Sequence, residues 1–227
     1  MMEGDSSNLQ TLAQDSEKES AQGSVQDDPT RTGKQGSRTQ SIVRVALIAA
    51  LHGAATLLVL QLMTALAWGP VQFRISEALT VLPLFFAEAV PGLTLGTFIA
   101  NSVNLGQTGA LGVLDVVFGT IATFLGALWT YRLRRRNILL ALAGPVVVNA
   151  VIVPAYLPII MGSLGINEVF YALPWLGLSF AGSFALMYLF GLVAVGFGQA
   201  VVIYALGLPL ARLISRFDNV QQEQLRR

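Results

Sequence analysis

RLRRRNILLALAGPVVVNAVIVPAYLPIIM, residues 132 to 161, sets four arginines against an apolar run long enough to cross a bilayer. A transmembrane helix needs about 20 mostly apolar residues, and no charge falls between Ile138 and Met161. Arg132, Arg134, Arg135 and Arg136 mark the end expected to stay in the cytoplasm, where basic loops are retained. Working outward, five further segments have the same character. They run from Val43 to Trp68, Pro70 to Ala87, Val90 to Val103, Leu111 to Leu133, and within Leu186 to Ile214. The Val90–Val103 segment is short for a span. Lys34 and Arg38 precede the first segment, Arg44 lies at its very start, and Arg212 and Arg216 close the last. Six spans put all three basic clusters inside, leave only Arg74 outside, and place both termini in the cytoplasm; an odd number breaks that agreement at one end. The stretch from Leu173 to Leu210 is longer than one helix requires. Pro174, Gly177 and Gly182 make its first part (residues 173–185) an outer interfacial or re-entrant piece, with a seventh span as the rival reading.

The bulk composition agrees with a membrane chain. Of 227 residues, 54% are hydrophobic and 12% charged, about half the charge fraction of a soluble domain. Residues 1–40 hold seven acidic and four basic side chains and no aromatic. Such a head cannot bury enough apolar surface to offset chain entropy, so it is expected to be a disordered cytoplasmic tail. It is not a signal peptide, which would place a short apolar run near its start. The expected organisation is a polar tail over residues 1–40, an all-α six-helix transmembrane bundle over 41–216, and a short cytoplasmic tail over 217–227. The net charge of +1 argues against nucleic acid as a partner. Zero cysteines exclude disulfides and thiolate chemistry, and one histidine cannot supply a metal cluster.

Polar residues inside the spans carry the functional signal, since unpaired polar groups in hydrocarbon cost several kcal/mol. PVQFRISEAL, residues 70–79, puts Gln72, Arg74, Ser76 and Glu77 between two apolar segments. At about 100° per residue, Gln72, Arg74, Ser76, Glu77 and Thr80 share one half of a helix wheel, and Ile75, Ala78, Leu79 and Leu82 the lipid-facing half. Asn101 and Asn104 share one face at the outer end of the third helix, and Asp115 lies about one turn into the fourth. With the expected orientation these sets meet at one outer level. Intramembrane ionisable groups are functional candidates by default, although Arg74 and Glu77 could simply pair, and Asn101 and Asn104 could cap a helix end before Gly106. Asn149 and Gln199 read as interhelical hydrogen-bond partners, His52 as a packing residue, and Glu88 and Glu168 as solvated. Ala46, Ala50 and Ala54 repeat every four residues, which permits close approach of another helix or tight internal packing; Gly92, Gly96 and Ala100 read as internal packing.

No G-x-x-x-x-G-K-[ST], H-E-x-x-H or G-x-S-x-G motif is present, and no cofactor is called for. VQFRISEAL (71–79), GLTLGTFIANSVN (92–104) and GVLDVVFG (112–119) are similar to the queuosine-precursor transporter (QueT) family, the likeness covering about residues 41–216. The family often has a Glu after a Gly in the last helix, where this chain reads GFGQAV with Gln199. The resemblance implies a bacterial plasma-membrane S component of an energy-coupling-factor transporter. It also implies a deazaguanine-type ligand bound from outside, and uptake driven by a separate transmembrane coupling subunit with two cytoplasmic ATPases. Ala46, Ala50 and Ala54 would then touch the coupling subunit. Chemically, a carboxylate accepts the adjacent N–H and NH2 of a guanine-like base, an amide or Arg serves its carbonyl, and a second carboxylate suits a cationic arm. Gln72, Arg74, Glu77, Asn101, Asn104 and Asp115 are the candidate site, with Phe73 or Trp68 to stack on the ring. The alternatives are an S component for another heterocycle such as a flavin or pterin, an intramembrane enzyme using Glu77 and Asp115 as paired carboxylates, and a membrane protein without a ligand.

Overall fold

The computed structural model of the chain describes residues 29–62 and 73–225. Residues 29–40, in the first of two compact units, are helical, and the second unit begins at Ser41. Helix α1 is Pro29–Leu62. A long 3₁₀ helix, Ile75–Leu84, follows, then α2, Ala89–Thr108. A 3₁₀ turn at Ala110–Gly112 and a π-turn at Asp115–Gly119 lead into α3, Thr120–Leu133. Helix α4 is Ile138–Ser163 and α5 the short Asn167–Phe170. Strands β1 (Ala172–Leu173) and β2 (Leu178–Ser179) pair antiparallel across a 3₁₀ turn. Helix α6, Phe184–Val201, runs through a π-turn at Val202–Gly207 into α7, Leu208–Leu225.

Among the described residues four helical stretches are long and apolar enough to cross a membrane: Arg38–Gln61, Ala110–Leu133, Ile138–Ser163 and Phe184–Phe217. Residues 172–179 form the small hairpin, which goes against the rival reading of a seventh span. One expectation changes. The segment read as a second α-helix from Pro70 is a 3₁₀ helix starting at Ile75, while the end of the first expected span and Gln72 lie outside the described residues.

Side-chain contacts fix the directions of the segments. The Thr56 hydroxyl donates to Ser76 Oγ at 2.8 Å, and the Ser41 hydroxyl donates to Glu88 at 3.0 Å, so the 3₁₀ helix runs antiparallel to α1. Ser41 to Thr56 is about 22 Å of α-helix at ~1.5 Å per residue. The opposing chain covers that height from Ser76 to Glu88, which needs a rise of roughly 1.9 Å per residue. That is near the ~2.0 Å of a 3₁₀ helix, so the tighter winding stretches a short segment over the required height. Helices α1 and α2 then run parallel and almost in backbone contact: a Cβ on Gly96 would lie 2.7 Å from the Ala49 carbonyl oxygen, and one on Gly92 2.8 Å from the Ile48 side chain. Gly109, at φ 66°, ends α2. Helix α3 returns antiparallel, with Thr97 donating to Thr123 at 3.1 Å. Helix α4 packs antiparallel on α3, the Thr130 hydroxyl donating to the Ala141 carbonyl at 3.1 Å. Helix α6 packs antiparallel on α4, Gly191 against Pro154 and Gly196 against Ala150, and Tyr204 in the following π-turn donates to the Leu139 carbonyl at 2.9 Å.

Two apolar clusters flank the middle of the bundle. One joins Tyr156, Leu157, Ile160 and Met161 of α4 to Phe170, Tyr171, Met187 and Val195. The other joins Val81 to Leu142, Ile203 and Ala211. Glu88 is not simply solvated: it holds Ser41 and lies 3.6 Å from Arg44. Its own backbone N–H first, and then the Ser41 hydroxyl, keep its carboxyl below the ordinary range.

The glycine contact between α1 and α2 is testable. Gly96→Val should destabilise the protein by about 1–3 kcal/mol through overpacking, seen as a lower unfolding midpoint in detergent. Gly106→Ala in the same helix, where a Cβ meets nothing within 4 Å, should leave the midpoint unchanged or raise it.

Candidate functional site

The 3₁₀ period of three stacks side chains three apart, and this builds the centre of the site. Glu77, Thr80 and Pro83 form one buried strip, and Arg74 sits at its head in extended conformation with φ −88° and ψ 95°. The wheel drawn for an α-helix put Ala78 toward lipid. Instead Ala78 and Val81 are buried, packed beneath Gly207, because a three-fold strip turns them inward.

Glu77 is 6% exposed and accepts a hydrogen bond from Gln199 Nε2 of α6 at 2.9 Å. Asp115 is 8% exposed and accepts the Tyr156 hydroxyl of α4 at 2.6 Å. Arg74 lies between the two acids in electrostatic terms, interacting with Asp115, Tyr156 and Glu77. Its Nε is buried without a hydrogen-bond partner. Arg74 and Glu77 form no direct ion pair, so the simple pairing that their spacing allows is not formed, and the Arg74 charge acts on Asp115 as well as on Glu77.

The Asp115 side of the site depends on local backbone. Asn101 Nδ2 donates to the Asp115 carbonyl at 2.8 Å, tying α2 to the π-turn. That turn widens the helix by one residue, and Gly119 closes it without a side chain. A Cβ there would sit 2.8 Å from Asp115 Oδ1 and 2.9 Å from Asn101 Nδ2, so the glycine leaves space for both polar groups. Helical widenings of this kind recur at functional sites. Asn104, one turn beyond Asn101, is buried with its Oδ1 unpartnered.

A cavity opens between these elements, lined by Arg74, Glu77, Asn149, Val153, Val195 and Gln199. It offers about 10 Å³ of room, close to what one water needs (~10–15 Å³). Of the expected site residues Arg74 and Glu77 line it, whereas Asn101, Asn104 and Asp115 do not. Gln199 and Asn149, read from sequence as interhelical hydrogen-bond partners, line it too. Tyr156 gives no sign of its role in the sequence, because an aromatic inside an apolar run carries no polar signal; only its hydroxyl, placed on Asp115, distinguishes it. A second polar layer adjoins: His52 Nε2 lies 3.1 Å from Thr97 Oγ1, which donates to Thr123. Ala46, Ala50 and Ala54 lie on the exposed face of α1, beside exposed Leu47 and Leu51, while Ala49, His52 and Gly53 face inward.

The family model of the QueT transporter matches residues 42–216. The chain is also 31% identical over 87 residues to the queuosine precursor transporter QueT of Lactococcus lactis subsp. cremoris (strain MG1363), covering 38% of this chain and 47% of that relative. The chain thus spans about half the length of the curated relative it matches. No solved structure matches.

Two substitutions probe the Asp115 cluster. Tyr156→Phe removes a hydrogen bond to a charged group and should cost about 1.5–3 kcal/mol. Gly119→Ala should cost at least as much, since Asp115 or Asn101 must move. Denaturant titration in detergent measures both; a Tyr156→Phe protein as stable as the parent would mean that this bond holds nothing.

Proposed function

The chain belongs to the QueT transporter family, and on that premise we propose that it is the substrate-binding S component for uptake of a deazaguanine-type queuosine precursor. The chain crosses the membrane six times, with the 3₁₀ helix and α2 as the two passes beyond the four long apolar stretches. The termini and the three basic clusters face the cytoplasm. A separate transmembrane coupling subunit and two cytoplasmic ATPases supply the energy.

The observation that supports this reading is a buried carboxylate, Glu77, lining a cavity beside the half-buried Arg74, whose buried Nε has no hydrogen-bond partner. Buried polar groups left unsatisfied cost about 1–3 kcal/mol each, and a ligand that satisfies them recovers that cost. Glu77 accepts the adjacent N–H and NH2 of the base as a bidentate pair. Arg74 or Asn149 donates to the ring carbonyl. Asp115, held by Tyr156, balances the Arg74 charge and attracts a cationic arm. The cavity holds hardly more than a water, so the base enters by displacing Gln199 from Glu77 and opening the gap between the 3₁₀ helix and α6. A pterin presents the same N–H and NH2 edge, which makes it the runner-up ligand; competition between a deazaguanine and a pterin separates the two. The exposed face carrying Ala46, Ala50 and Ala54 is the docking surface for the coupling subunit.

Binding to the detergent-solubilised chain should fall about 10- to 100-fold in Glu77→Gln, the loss of a charge-assisted pair, and less in Asp115→Asn. Unchanged affinity in both removes them from the site. Ala50→Trp should leave binding intact and abolish uptake of labelled precursor in cells that make the coupling module.

A further inference from the structure

A second opening, sharing no lining residue with the polar cavity, lies on the exterior of the bundle between α3 and α4. It is lined by Leu125, Leu128, Trp129, Arg132, Leu133 and Val148, with about 440 Å³ of room. That falls within the ~300–1,000 Å³ range of small-molecule sites. Its walls are hydrocarbon apart from one end, where Arg132 sits. The Trp129 indole forms a fixed wall, since its Nε1 donates to the Leu140 carbonyl at 3.1 Å.

The charge at that end is uncompensated. Arg134 is occupied, stacked 3.7 Å over the Tyr131 ring and donating to the Tyr131 carbonyl. Arg132, Arg135 and Arg136 are exposed, and among the described residues the one carboxylate ion pair is Arg44–Glu88, elsewhere on the bundle. A groove with an apolar body, an indole wall and cations at one end complements one kind of molecule: an acyl chain ending in an anionic phosphate. We propose that this groove is a site for an anionic phospholipid of the leaflet on the Arg132–Arg136 side, its acyl chain along Leu125, Leu128 and Val148 and its phosphate on Arg132.

Trp129 supplies the reporter. With Trp68 and Trp175 replaced by Phe, the protein is reconstituted in vesicles of phosphatidylcholine containing brominated phosphatidylglycerol or brominated phosphatidylcholine, and quenching of Trp129 gives the relative association of each lipid. The expected preference for phosphatidylglycerol is about fivefold, the effect of one arginine near a headgroup. Arg132→Gln should bring it close to one, and the Arg135→Gln, Arg136→Gln pair should change it less. A second measurement, native mass spectrometry of the unmodified chain with added dioleoyl phosphatidylglycerol or phosphatidylcholine, should show retained phosphatidylglycerol that Arg132→Gln loses. Equal association of the two lipids at Trp129 overturns the proposal and leaves the groove to a protein partner. A preference that survives Arg132→Gln overturns it as well.

Discussion

A carboxylate inside a helical bundle has to be held by the protein itself, and Glu77 is held by one amide hydrogen and the field of one guanidinium. Much of the bundle can be read as the means of keeping that arrangement. The 3₁₀ winding stacks Glu77 and Thr80 on one inward strip below Arg74. Gly196 lets α6 approach Ala150 closely, which brings Gln199 up to the acid. The π-turn with Gly119 does the same for the second acid, directing Asp115 to Tyr156. Burying acidic side chains is costly unless hydrogen bonds or a cation share the load, and here Gln199, Tyr156 and Arg74 do so.

The parts legible in the sequence were those governed by length and charge segregation. The apolar runs around Ile138–Met161 and Leu111–Leu133 correspond to α4 and to the stretch containing α3, because nothing but a helix satisfies the backbone in hydrocarbon. The polar set Arg74, Glu77, Asn101 and Asp115 was also visible, since each is out of place in an apolar run. The winding of residues 75–84 was not. Nothing in ISEALTVLPL opposes an α-helix except Pro83; the height to be covered beside α1 decides the matter, and that is a tertiary quantity. The same error misplaced Ala78, whose side depends on whether the period is 3.6 or 3.0.

Gln199 and Tyr156 show two further ways in which the sequence underdetermines a site. A lone amide on a late helix has no local sign of its partner, and here the partner is 122 residues away in the chain. A tyrosine within apolar neighbours reads as packing, and most of Tyr156 does pack, its ring stacked on Phe118 at 6.0 Å. Only the oxygen takes part in the polar cluster. Both side chains do two jobs at once, and sequence pattern reports the commoner one.

The near contact of α1 with α2 has a mechanical side. On the outward face of α1 lie Ala46, Ala50 and Ala54; on its inward face the Thr56 hydroxyl reaches Ser76, the residue next to Glu77. One helix diameter therefore separates the bundle's exterior from the carboxylate. The glycines that bring α1 against its neighbour leave little room between the two helices, so α1 is a thin partition with one face turned to the surroundings and the other to the polar core.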